Sequence, residues 1–192
     1  MSTDLIIHHS PLWRRMRWVV WGGAAALLLL PLVAMQFTTE VDWTGADFAV
    51  MGAMLATVCL AFELAVRVAR THAYVVAAGV AVVTGFLLTW INLAVGIIGN
   101  ENNPANQIFF GVLLVALLGA VLSRLDPLRL ARAMEVTTVA QLAAAVVTYF
   151  LAQAHVWVLT AVFAAMWLLS AQLFRKAARE QACLTDNRPG LP

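Results

Sequence analysis

The chain has 192 residues, of which 62% are hydrophobic and only 11% carry a charge. Soluble domains carry roughly 25% charged residues, and a soluble fold of this size could not cover so much apolar surface with polar groups. The composition therefore excludes a water-soluble domain and indicates a protein whose solvent is lipid. The net charge of +2 gives no electrostatic reason to expect a nucleic-acid partner.

Six apolar runs are long enough to cross the hydrocarbon core as helices, which takes about 20 residues each. A spanning segment in lipid must satisfy its own backbone hydrogen bonds, and the alternation typical of barrel strands is absent. The sequence therefore predicts an all-α polytopic bundle, with a segment 1–17 before it and a tail 175–192 after it. The six predicted helices within 18–174 are Trp18–Gln36, Asp47–Val68, Ala73–Ile98, Pro104–Leu122, Leu130–Ala152 and Val156–Phe174.

The cations give the bundle a direction. All twelve Lys and Arg residues lie before the first run, around every second connection, and after the sixth run. The charged residues in or beside the other connections are all acids, namely Glu40, Asp42, Asp47 and Glu101. Because positive residues near helix ends stay cytoplasmic, both termini are predicted inside. The twelve cations are Arg14, Arg15, Arg17, Arg67, Arg70, Arg124, Arg129, Arg132, Arg175, Lys176, Arg179 and Arg188.

The connection after the third run is the most polar interruption in the chain. Part of it is explained by turning, since Gly99 suits a helix C-cap, Asn103 an N-cap, and Pro104 the first helical position. The remaining polar side chains exceed what a turn needs, and Asn92 lies about two helical turns deeper. A binding site for a polar ligand is the alternative, because amides offer both donors and acceptors. Its candidate residues are Asn92, Asn100, Glu101, Asn102, Asn103 and Asn106.

Three stretches of the sequence resemble an uncharacterised group of small multi-pass bacterial membrane proteins. They read "PLVAMQFTTEVDW", "WINLAVGIIGNENNPANQIFFG" and "LFRKAARE". Members of that group share a loop of the type V-G-I-I-G-x-E-x-N-P-A-N, which here runs from Val95 to Asn106 with Glu101 at the acidic position. The resemblance implies a bacterial origin and the same helical topology, and it implies no particular activity. We expect the bundle to lie in a bacterial inner membrane.

Two acid–base pairs lie inside predicted spans. Glu63 and Arg67 are four residues apart, the favourable order for a helical ion pair, and Arg132 and Glu135 are three apart. Both are predicted to pair structurally, while a proton or ion relay is the alternative use of an acid in the membrane. On the fifth run, Thr137, Thr138, Gln141 and Thr148 fall on one helical face, which should turn toward the bundle.

The sequence shows none of the usual signs of catalysis or of a bound cofactor. It contains no nucleophile with a neighbouring base, no glycine-rich phosphate loop and no Cys/His cluster with metal-ligand spacing. We therefore expect a non-enzymatic membrane protein whose outer loop, residues 99–107, binds a protein partner, a lipid or a small polar ligand. The alternative is a small transporter or channel, either as one chain or as a homo-oligomer, with a polar path involving Asn92, Gln141 and Glu63.

Overall fold

A computed structural model describes residues 11–153 and 155–186. Every described secondary-structure element is helical, and six of the helices are long and apolar enough to cross a membrane. The predicted all-α polytopic fold is thereby confirmed. Arg188 and the ends of the two predicted terminal segments lie outside the described residues. The helices are α1 Pro11–Ala34, α2 Gly45–Val68, α3 His72–Ala94, α4 Gln107–Leu122, α5 Pro127–Ala152 and α6 Trp157–Asp186, and a short 3-10 turn, η1 Pro104–Asn106, precedes α4.

Short polar side chains set where several helices begin. Thr44 and Asp47 form a capping box at the start of α2, in which Thr44 Oγ1 accepts from the Asp47 N–H and Asp47 Oδ2 accepts from the Thr44 N–H at 2.7 Å. Thr71 caps α3 by accepting from the Tyr74 N–H. Asp126 caps α5 by accepting from the Arg129 N–H at 2.9 Å. These caps satisfy backbone donors that have no partner within the helix.

Several helix bounds differ from the predicted ones: α1 runs from Pro11 to Ala34 instead of Trp18 to Gln36, and the third and sixth helices end at other residues. The third helix ends at Ala94 rather than Ile98, because Gly96 adopts a left-handed φ of 76° and its N–H donates back to the Ile91 carbonyl. The sixth helix continues past Phe174 to Asp186. Its last turns are rich in Ala, Gln, Glu and Arg, which favour helix, and they contain no Gly or Pro to stop it.

The chain divides into two compact units, Met1–Ala69 and Arg70–Pro192. In the first unit, α1 and α2 form an antiparallel hairpin. Leu28 lies over Gly52, the Cys59 thiol approaches the Val20 carbonyl, and Arg17 contacts Glu63. These contacts join the start of α1 to the end of α2. Arg17 and Arg67 therefore lie together around Glu63, at one end of the hairpin. The acidic connection between α1 and α2 is at the opposite end.

In the second unit, α6 packs against both α3 and α5, and α5 also packs against α4. The apolar core at the 95–107 end of this unit contains Leu88, Phe109, Ala145 and Phe163. Close approach is possible where side chains are small: a methyl group added to Gly119 of α4 would lie 2.7 Å from the Ala133 Cβ of α5.

Polar contacts fix the opposite end of the second unit. The Tyr74 hydroxyl donates to the Leu125 carbonyl at 3.1 Å, and the Tyr74 ring packs edge-on against Phe174. These contacts bring together the start of α3, the α4–α5 turn and the later part of α6. The described cations of this unit lie on those segments, while Glu101 lies on the loop at the other end. Within each unit the structure thus keeps the segregation of charge on which the predicted orientation depends.

Candidate functional site

Asn106 organises the polar loop between α3 and α4. Its side-chain oxygen accepts from the N–H groups of Ile97 and Ile98, at 3.1 and 2.8 Å. Its side-chain nitrogen donates to the Asn100 carbonyl at 2.7 Å. Asn106 itself is only 3% exposed. One buried amide therefore satisfies three backbone groups of the loop, which has no regular helix or strand to do so.

Asn92 ties the loop to the helix below it. Its side-chain nitrogen donates to the backbone carbonyl of Asn106 at 3.1 Å, and the residue is 3% exposed. The side-chain oxygen of Asn92 is buried and has no hydrogen-bond partner among the described residues. The amide pair Asn92–Asn106 thus joins the end of α3 to η1.

Glycine is required at one turn of the loop. Gly96 has a φ of 76°, and a methyl group added there would lie 2.3 Å from the backbone carbon of Asn100. Any side chain would collide with the backbone as well as occupy the left-handed region. The helix stop predicted at Gly99 is therefore made at Gly96 instead, although Gly99 also has a positive φ of 70°.

The polar face of the loop consists of the three residues that follow Gly99. Asn100, Glu101 and Asn102 are all exposed. They are nevertheless ordered by contacts with one another: the Asn102 N–H donates to Asn100 Oδ1, and Asn102 Nδ2 donates to Glu101 Oε1, both at 3.1 Å. One oxygen of the carboxylate thus accepts from the Asn102 side chain, while the second oxygen makes no described hydrogen bond. We call Asn100, Glu101 and Asn102 the acidic face of the loop.

The six candidate residues of the loop site therefore separate into three groups. Asn92 and Asn106 are buried and hold the fold of the loop, and Asn103 caps η1 by accepting from the Ala105 N–H at 3.0 Å. Of these six residues, only the three of the acidic face are exposed. The sequence shows six polar side chains close together, but it does not show which of them point inward, because the loop lacks the periodicity that assigns faces to helices.

Both membrane carboxylates have basic partners. Glu63 Oε1 contacts Arg67 at 3.0 Å, as their spacing predicts, and it also contacts Arg17 of α1. Glu135, however, pairs with Arg175 of α6 at 2.6 Å, not with Arg132 as predicted. The i, i+3 prediction was wrong because antiparallel packing of α5 against α6 brings in a closer cation. A useful sequence signal was the placement of basic residues at the same end of successive helices.

The polar stripe of α5 faces the interior of the second unit. Thr137, Gln141 and Thr148 are each at most 1% exposed, and the two threonine hydroxyls donate to carbonyls of their own helix. Gln141 Oε1 has no hydrogen-bond partner in the described part of the chain. Gln141 and Asn92 thus lie in packed helix contacts of the second unit, whereas Glu63 belongs to the first unit with its two arginines.

Comparison with known proteins adds no assignment to this geometry. The chain matches no family model, no curated protein sequence and no solved structure. A function for the chain must consequently be argued from its own residues.

Proposed function

We propose that this multi-pass membrane protein is a non-enzymatic recognition protein of a bacterial inner membrane. Its ligand-binding surface is the acidic face of the 95–107 loop, which the distribution of arginines predicts to face away from the cytoplasm. The observation that carries the proposal is that different polar residues of the loop have different roles. Buried amides hold the backbone, and a carboxylate flanked by two amides is left exposed and ordered.

An exposed carboxylate beside amide groups suits a partner that offers a cation and hydrogen-bonding groups. A basic segment of a protein partner, a lipid amine or a small polar ligand with an ammonium group all have this chemistry. Restraint of the loop backbone lowers the conformational entropy that is lost on binding, since the hydrogen bonds of Asn106 already fix that backbone. This makes the acidic face better suited to recognition than an unstructured loop of the same composition.

Site-specific photo-crosslinking in native membranes tests this proposal. A photo-reactive amino acid replaces Gln107, which is exposed at the end of the loop where α4 begins. We expect a discrete adduct, whether a protein or a lipid, that is lost with Glu101→Gln. The adduct should persist with Glu40→Gln, a matched loss of one exposed acid from the connection between α1 and α2. Absence of an adduct, or an adduct insensitive to Glu101→Gln, would contradict recognition by the acidic face.

Solute transport is the second candidate, and one observation favours it. The Gln141 side-chain oxygen lies deep in a spanning helix without a described hydrogen-bond partner. An unpaired polar group inside a membrane-spanning bundle is energetically costly, and such groups often line a path for polar solutes. Transport predicts solute flux in proteoliposomes that is abolished by Gln141→Leu and by Asn92→Leu. A chain that binds at its loop but shows no flux would exclude this candidate.

A further inference from the structure

A groove lies at the end of the second unit opposite the 95–107 loop, between the start of α3 and the last turns of α6. It has a volume of about 1130 Å³ and is open along one side. Drug-sized ligands occupy sites of roughly 300–1,000 Å³, so the groove is large enough for part of an amphiphile. It is far along the helices from the acidic face and takes no part in the proposed recognition.

The walls of the groove change from apolar to cationic along α6. Leu169 and Leu173 line its deeper part together with Val76 of α3, and Lys176 and Arg179 follow along α6. Cys183 and Leu184 line the last part, beyond the two cations. At 1.5 Å per residue, Leu169 and Lys176 are about 10 Å apart along the helix. The first four of these α6 residues are spaced by three or four, so they lie on neighbouring positions of one helical face.

The cationic part of the groove lies at the depth of lipid headgroups. Helix α6 has 30 residues, which span about 45 Å, whereas the hydrocarbon core is about 30 Å thick. About ten of its residues must therefore project beyond the core. Because the other end of α6 begins directly after its connection to α5, the projecting residues are about the last ten, 177–186. Arg179 is then outside the core, and Lys176 lies at its boundary.

Charge at this end favours an anion. Lys176 is 64% exposed, and its contact with Glu180 is long, at 3.8 Å. Arg179 is also exposed. The N-terminus of α3, capped by Thr71, lies on the opposite wall and adds the positive end of a helix dipole. The two cations outnumber Glu180, the one acid among the lining residues, so the lining carries a formal net charge of +1.

We infer that this groove binds one anionic phospholipid, with its phosphate on Lys176 and Arg179 and an acyl chain along Val76, Leu169 and Leu173. The order of the walls, apolar and then cationic over about 10 Å, matches the order of chain and headgroup in such a lipid. Basic pockets between spanning helices on the cytoplasmic side are suited to anionic headgroups, and each cation near the surface contributes to their retention. The predicted orientation places this end on the cytoplasmic side.

Native mass spectrometry of the full chain, purified in a neutral detergent, tests the inference. Phosphatidylglycerol is titrated, and phosphatidylcholine with the same acyl chains is titrated in parallel. We expect one retained phosphatidylglycerol and at least a tenfold weaker retention of phosphatidylcholine. The double variant Lys176→Gln/Arg179→Gln should weaken phosphatidylglycerol retention roughly 10- to 30-fold. The matched variant Arg129→Gln/Arg132→Gln, which removes two exposed cations outside the groove, should leave it within about twofold.

Two further measurements separate lipid from other occupants. Val76→Trp fills the apolar part without changing charge and should also lower phosphatidylglycerol retention, while excess inorganic phosphate should not compete. Equal retention of the two lipids, retention insensitive to both groove variants, or displacement by phosphate alone would overturn the inference. A dimer that Val76→Trp dissociates would likewise overturn it, because the groove would then hold a second copy of the chain. Circular dichroism is the control that checks whether each variant remains helical.

Discussion

Asn106 shows how a single residue can determine the conformation of an irregular segment. Its side chain makes three hydrogen bonds to the loop backbone, and its own carbonyl accepts a fourth from Asn92. The loop connects two membrane helices, and these bonds replace the regular backbone hydrogen bonds that a helix or a strand would supply. The abundance of amides in this stretch is thus partly a requirement of folding.

Asn106→Ala should therefore be strongly destabilising. It leaves the Ile97 and Ile98 N–H groups without their acceptor, and an unsatisfied buried donor costs about 1–3 kcal/mol. We expect the free energy of unfolding in detergent, measured by denaturant titration, to fall by about 2 kcal/mol or more. Asn102→Ala removes an exposed amide of the same size and should change stability by only about 0.5 kcal/mol. Equal effects of the two substitutions would contradict the role assigned to Asn106.

Gly96 offers a second test at the scale of one residue. Gly96→Ala places a Cβ 2.3 Å from the Asn100 carbonyl carbon and forces a left-handed residue, so we expect it to lower stability by more than about 1 kcal/mol. Gly79→Ala adds the same methyl group within α3, where a Cβ meets no atom within 4 Å. That control should be neutral or slightly stabilising, because alanine favours helix over glycine. Thermal unfolding of the two variants side by side would show the difference.

At the scale of the helices, apolar length predicts a span better than it predicts where the span ends. The second helix ends at Val68 and the fifth at Ala152, as the sequence indicates, because a connection rich in polar residues or turns follows each. The third and sixth helices differ because their ends depend on local chemistry. A left-handed glycine stops one early, and an uninterrupted run of helix-forming residues extends the other.

Packing between helices could not be read from the same pattern. Glu135 was assigned to Arg132 by spacing along one helix, yet its partner is Arg175 on the next helix. Spacing along one helix identifies residues that are able to pair, and the alignment of neighbouring helices decides which pair forms. The same limit applies to the groove, whose two walls are separated by about 100 residues of sequence and become neighbours only in the folded unit.

The close approach of α4 and α5 yields a prediction at this scale. Gly119→Leu would force α4 away from Ala133 of α5, since even a methyl group would lie 2.7 Å from the Ala133 Cβ. We expect a loss of about 1–3 kcal/mol in the free energy of unfolding. Gly111→Leu makes the same change on the same helix, at a position open to its surroundings, and should have a much smaller effect. If denaturant titration gave similar losses for both, the helix contact described here would be incorrect.

At the scale of the whole chain, the decisive property is the separation of charge between the two ends of each unit. In the first unit the arginines of α1 and α2 meet around Glu63, and in the second the described cations lie on segments joined by Tyr74 and Glu135. The acidic face of the 95–107 loop lies at the other end of the second unit. The proposed recognition and the proposed lipid binding both depend on the orientation that this separation of charge predicts for the chain.

Thiol labelling in intact cells tests that direction most directly. Cys183 is exposed and Cys59 is buried, so the background is Cys59→Ala/Cys183→Ser. In it, Glu101→Cys is compared with Arg129→Cys, using a reagent that does not cross the membrane. We predict that Glu101→Cys reacts in intact cells and that Arg129→Cys reacts only after the membrane is opened. Labelling of Arg129→Cys from outside, with Glu101→Cys protected until lysis, would contradict the orientation.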